Sequence, residues 1–189
     1  MICSDYPYFF NLKRSLQAAC FLLKLEGGRM NYMRLLKLLY IADRESLQET
    51  GDAITGDAPY AMERGPVLTQ IFDFLKGEHP DRDHWQKYIA TKAYDAHLVM
   101  DPGTGSLCQY DSKKLKEISE RYSLKDEWDM VNICHELEEW RKNDPGKSSK
   151  PIPFEDILNA VGRGEYATKI RKEASAYAKL DKRLALIKK

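Results

Sequence analysis

Leu35-Leu36-Lys37-Leu38-Leu39-Tyr40-Ile41-Ala42-Asp43 holds only two charged residues, Lys37 and Asp43, in nine positions. Wound as a helix, this stretch is apolar around most of its circumference, and such a helix is buried in the middle of a domain. Asn31 is placed to cap it, because a short side-chain oxygen can accept a free N–H of the first turn. Gly51 is placed to end it. The spacing therefore predicts a central helix over about 32–50.

Upstream, Leu12, Leu16, Ala19, Cys20 and Leu23 recur at helical spacing, so Tyr8 to Leu25 reads as a first helix stopped by Glu26-Gly27-Gly28. Downstream, Asp52 to Arg64 contains Gly56 and Pro59 and reads as a loop. Gly65-Pro66-Val67 then reads as a helix start, since proline lacks the N–H that the first helical position leaves unpaired anyway. Ile71, Phe72, Phe74 and Leu75 supply its buried side, and Gly77 and Pro80 end it. Ala96 to Met100 and Leu107 to Tyr110 flank the Gly-rich Asp101–Ser106 and read as one hairpin. Helices are expected from Asp111 or Ser112 to Arg121 and from Lys125 to about Lys142. Asn143 to Pro153 reads as a linker and Pro153 to Val161 as a short helix. Glu165 to Lys189 reads as a basic amphipathic helix with a stripe of Ile170, Tyr177, Leu180, Leu184 and Ile187. The expected fold class is mainly α, a compact helical bundle around the buried helix at about 32–50, with one small β-hairpin at about 96–110.

The chain has 189 residues, enough for one domain or one domain with an extension, and an apolar content of 43% that sustains a packed core. Thirty basic residues against 29 acidic ones argue against nucleic acid binding by the whole molecule. Cys3, Cys20, Cys108 and Cys134 form no C-x-x-C pair, which speaks for buried thiols over a zinc ribbon or a redox motif. No stretch approaches the roughly 20 apolar residues of a membrane span, and no basic-then-apolar leader opens the sequence. The expected compartment is a reduced cytoplasm.

No catalytic pattern stands out. Gly103-x-Gly105 lacks the third glycine of a dinucleotide loop and reads as a turn. His135-Glu136 opens like a zinc-protease helix, but Glu139 stands where the second histidine belongs. Asp43 and Asp73 lie on apolar helices, where a buried acid needs a partner, and Arg64 is a candidate partner, as a buried ion pair steadying the loop in preference to a catalytic acid. A hydrolase built on Asp43, Arg64 and His135 is a further alternative. The terminal basic helix has three readings: docking on its own domain, gripping nucleic acid or anionic lipid, or offering its stripe to a protein groove.

Lys37-Leu38-Leu39-Tyr40-Ile41-Ala42-Asp43, Tyr60-Ala61-Met62-Glu63-Arg64-Gly65-Pro66-Val67 and Gln70-Ile71-Phe72-Asp73-Phe74-Leu75 together resemble the Panacea domain, the antitoxin domain related to the SocA-type antitoxin. His135 and Trp140 look like the family's late histidine and tryptophan, and Pro151 to Leu158 resembles its closing segment. Arg64 stands where the family often has an aromatic residue. The resemblance assigns residues 1–162 to an antitoxin domain and leaves 163–189 as the basic helical extension. It implies an antitoxin that neutralises a cognate protein toxin by direct contact, with no enzymatic activity, cofactor or metal. An alternative is a proteolytic adaptor delivering the toxin to a ClpX-type protease; a regulatory nucleic-acid-binding module is a further one. Tyr40, Asp43, Gly65, Pro66 and Val67 are then structural motif residues. Candidate partner-binding residues are Tyr60, Met62, Arg64, Trp85, Tyr110, His135, Trp140, Tyr177, Leu184 and Ile187. Trp128 and Trp140 are expected to fill a core, as large aromatics on helices usually do.

Overall fold

In the computed structural model, which describes residues 6–176, everything is arranged around α2 (Tyr32–Glu49). The Asn31 side chain accepts the Met33 N–H at 2.9 Å and so caps the helix. Every residue from Arg34 to Asp43 is buried, with Leu35, Leu38, Leu39 and Ala42 at 0% exposure. Before it come α1 (Leu12–Leu25) and the short β1 (Arg29–Asn31). After it come β2 (Pro59–Met62), β3 (Gly65–Leu68), α3 (Thr69–Lys76) and α4 (Arg82–Gln86). Then follow β4 (Ile89–Lys92), β5 (Asp95–Leu98), α5 (Gln109–Arg121), α6 (Glu127–His135) and α7 (Glu138–Lys142). β6 (Ser149–Pro151), α8 (Phe154–Ala160), a 3-10 turn (Gly164–Tyr166) and a helical run from 167 to 176 complete the described residues.

The fold is therefore mixed α/β, and the expectation of a mainly α bundle with one hairpin was wrong. Two three-stranded antiparallel sheets flank the helices, in the orders β1-β5-β4 and β3-β2-β6. The error began at Gly65-Pro66. Proline suits an edge strand as well as a helix start, because neither position needs its N–H. β3 is an edge strand, and Pro66 pairs with Ala61 of β2. The segment expected to be a loop supplies β2, and the expected linker supplies β6. The hairpin also sits earlier than expected. β4 and β5 turn at Ala93-Tyr94, where Ala93 takes a φ of 53°, while Leu107 to Tyr110 lead into α5. There Cys108 and Asp111 form a reciprocal cap: the thiol accepts the Asp111 N–H and the carboxylate accepts the Cys108 N–H.

The loop after α2 is organised by two buried carboxylates. Asp43 accepts the Thr55 N–H at 2.9 Å and the Thr55 hydroxyl, so its partner is Thr55 and not Arg64. Asp57 accepts the N–H groups of Gln70 at 3.2 Å and Ile71 at 2.9 Å. Leu68, at the N-cap of α3, has no capping side chain, so Asp57 caps that helix from another part of the chain. Burial pushes Asp43 up to about 6, against the pull of the Thr55 hydrogen bonds. Burial also pushes Asp57 up to about 7, against the helix N–H groups. Both are raised above the unfolded value, so the folded chain holds protons that the unfolded chain has released between about pH 4 and pH 7. Stability contributed by these groups is full at low pH and falls as pH rises through that window. Asp57→Asn should gain on the wild type by on the order of 3 kcal/mol between pH 4 and pH 7.5. Urea unfolding of both proteins at the two pH values checks this; a constant difference would contradict it.

Candidate functional site

Three separated pieces of sequence meet at the turn between β2 and β3. Glu63 and Arg64 form the turn, and Gly65 follows with a φ of 91°, a left-handed value that suits glycine. Underneath, Lys37 of α2 donates to the Pro66 carbonyl at 2.8 Å. Lys37 is 1% exposed, and burial pushes its amine down to about 8. Cys134 borders the same glycine: a Cβ there would stand 3.1 Å from Lys37 Nζ and 3.2 Å from Cys134 Cβ. Glycine is thus required here by both conformation and space.

The late helices hold the turn from its flank. The helix expected over 125–142 breaks after His135, and Leu137 is extended with a ψ of 128°. The break lets the Trp140 ring lie back on the His135 ring, with centroids 4.0 Å apart and planes 17° from parallel. Trp140 Nε1 donates to the Met62 carbonyl at 3.1 Å. His135 Nε2 lies 3.1 Å from the Glu63 carbonyl, which can only accept, so this nitrogen carries the proton. α7 is itself pinned to α2. The Tyr40 hydroxyl donates to Glu139 Oε1 at 2.8 Å, and Arg44 reaches both Glu139 oxygens, at 2.7 and 3.3 Å. Glu139 is 1% exposed, and the Asn143 amide donates to its backbone carbonyl at 3.0 Å.

Above this clamp the surface is aromatic and charged. The Arg64 guanidinium lies 5.1 Å from the centre of the Trp128 ring. Trp128 is 52% exposed, so the expectation that it fills a core does not hold, and Leu124 just before α6 is 95% exposed. The spacing along α6 accounts for this. Met130, Val131 and Cys134 are the buried face, while Trp128, Asn132 and His135, at four- and three-residue steps, lie on the other.

The site thus unites Met62 and His135, both half-buried, with exposed Arg64 and buried Trp140. The motif residues Tyr40, Gly65, Pro66 and Val67 are buried beneath or beside it. Other candidates lie elsewhere. Trp85 is 0% exposed and stacks on Phe74 in the core at 4.8 Å. Tyr110 opens α5, and its hydroxyl donates to Glu49 at 2.7 Å. Tyr60 is half-buried in β2, opposite Val67 and Pro151. Tyr177, Leu184 and Ile187 lie outside the described residues. Asp43, Arg64 and His135, the hypothetical hydrolase set, each have different partners: Thr55, Trp128, and Glu63 with Trp140. Among the described residues no group of three or more His, Cys, Asp and Glu side chains is arranged to hold a metal ion, and no helix is long and apolar enough to cross a membrane. A cavity of about 430 Å³ opens elsewhere, between residues 8–14, the loop 50–56 and residues 170–174. Its one guanidinium, Arg14, is bound by Asp111 at 3.1 and 2.9 Å.

The span from α2 to α7 that builds this clamp is the span a known family covers. The family model for the SocA-like antitoxin, Panacea domain, matches residues 35–141, more than half of the chain. The chain belongs to that antitoxin-like family. Neither the curated proteins nor the solved structures compared with it gave a match.

Proposed function

We propose that this chain is an antitoxin that neutralises a protein toxin by direct contact, with the β2–β3 turn and the outer face of α6 as its docking surface. The observation that carries the reading is the exposed pair of Trp128 on α6 and Arg64 on a turn clamped by the Lys37 and Trp140 hydrogen bonds. Tryptophan and arginine are the side chains that most often dominate protein interfaces, and anchors held in advance lose less entropy on binding. Membership of the antitoxin family supplies the kind of partner. A stable complex of this kind buries on the order of 1,600 Å² in total. Neutralisation is then a matter of covering the toxin's working surface, and this chain makes and breaks no bond.

The test is co-expression in a bacterial host with the toxin candidate encoded beside its gene. Growth should be arrested by the neighbour alone and restored by the wild-type chain. Trp128→Ala should lose the restoration while leaving the thermal transition within about 2 °C, as expected for an exposed side chain. Continued arrest with the wild-type chain would contradict the antitoxin reading. Full restoration by Trp128→Ala would remove this surface from it.

A further inference from the structure

We propose that Arg64, held on the face of Trp128, receives a single carboxylate of the protein partner, and that the partner's surface around that carboxylate is basic; this rests on the antitoxin reading above. Arg64 has no hydrogen bond and no ion pair among the described residues. In this it differs from every other described arginine. Arg14, Arg29, Arg34, Arg44, Arg82, Arg121, Arg141 and Arg171 each face a carboxylate, and Arg163 donates to the last carbonyls of α2. Glu63, its immediate neighbour in the chain, does not pair with it. The guanidinium is therefore an open fork of donors on a fixed aromatic platform. That fork matches the two oxygens of a carboxylate side by side, and a ring beneath it lowers the cost of fixing it.

The surroundings decide which anion fits. Glu63 precedes Arg64 in the turn, Asp126, Glu127 and Asp129 bracket Trp128, and Glu136 follows His135. Lys125 is the basic residue set against them in the turn and α6, and Arg141 of α7 pairs with Glu136. A nucleic acid backbone or a phosphate dianion would bring further negative charge into this acidic rim. One carboxylate is neutralised by Arg64 itself, and the rim acids then face lysines or arginines of the partner. The complementary surface is a protein one, with an Asp or Glu set among basic residues.

The experiment uses the toxin that the wild-type chain neutralises in co-expression, titrated calorimetrically against the full chain. Arg64→Glu should weaken binding about a hundredfold, and Arg64→Lys, which keeps the charge and loses the fork, about tenfold. Arg64→Gln serves as the variant without charge reversal and should fall near Arg64→Lys. Thermal transitions of all three should stay within about 3 °C of the wild type, since the exposed contact with Trp128 is the one interaction of the Arg64 side chain among the described residues. Changing one Asp or Glu of the toxin to Lys should restore binding by Arg64→Glu to within about tenfold of the original pair. Binding by Arg64→Glu within about threefold of wild type overturns the inference while the antitoxin reading stands. So does the failure of every acidic position on the toxin to restore it. Absence of binding by the wild-type chain overturns both.

Discussion

Glu139→Ala should lower the unfolding free energy by about 4 kcal/mol, the cost of breaking a buried ion pair from one side. Glu139 is 1% exposed, and its carboxylate is the acceptor for both the Tyr40 hydroxyl and the Arg44 guanidinium. Removing it leaves a buried hydroxyl and a largely buried cation, with Arg44 at 17% side-chain exposure, without that partner. For a chain of this size the loss corresponds to roughly 10 °C in the melting temperature. Glu139→Leu combined with Arg44→Met should cost clearly less than Glu139→Ala alone, because the stranded charge is gone and the space is refilled. Calorimetric melting of the three proteins decides the matter. A double variant as unstable as the single one would mean that shape, rather than charge pairing, holds α7 against α2.

The second large effect is expected at Gly56, far from the clamp. Its φ is 69°, and a Cβ there would stand 2.4 Å from the Phe9 carbonyl oxygen and 3.0 Å from its carbon. No side chain can yield there, because the obstacle is backbone. The Asn11 N–H also donates to the Thr55 carbonyl at 3.2 Å, so the N-terminal segment is tied to this loop. Gly56→Ala should therefore cost about 3 kcal/mol, from the left-handed conformation and the forced displacement together. Gly103→Ala has the same kind of φ, 72°, and nothing within 4 Å, so it should lose only the conformational part, about 1 kcal/mol. Denaturant midpoints of the pair separate crowding from strain; equal losses would contradict this reading.

These two positions also mark what could be read from residues alone. The buried helix around Leu35 to Ala42 was legible, because a run apolar on all sides has few places to lie. The helix ending at Arg121 was legible too, and α5 spans Gln109–Arg121 with Leu115 and Ile118 buried. The sheets were not. β1, β2, β3 and β6 are three or four residues long, too short to show alternation, and Gly65-Pro66 satisfies a helix start as well as an edge strand. The break at Leu137 was invisible for a related reason, since the residues on both sides of it favour helix and carry no glycine or proline. With the break hidden, the stacking of Trp140 on His135 and the capture of Met62 could not be foreseen. Glu139 looked like one acid among many, and only its placement beside Tyr40 and Arg44 gives it a role. Trp128 could have been read as outward-facing from the polar residues at Asn132 and His135 on its side of α6.

Docking of a protein partner on the rigid turn and the outer face of α6 is best checked by amide hydrogen exchange on the chain alone and in complex with the proposed toxin. Residues 62–65 and 124–135 should exchange more slowly in the complex, with little change around the cavity lined by residues 50–56. Protection confined to that cavity or to α1 and α5, with the turn and α6 unchanged, would contradict the claim.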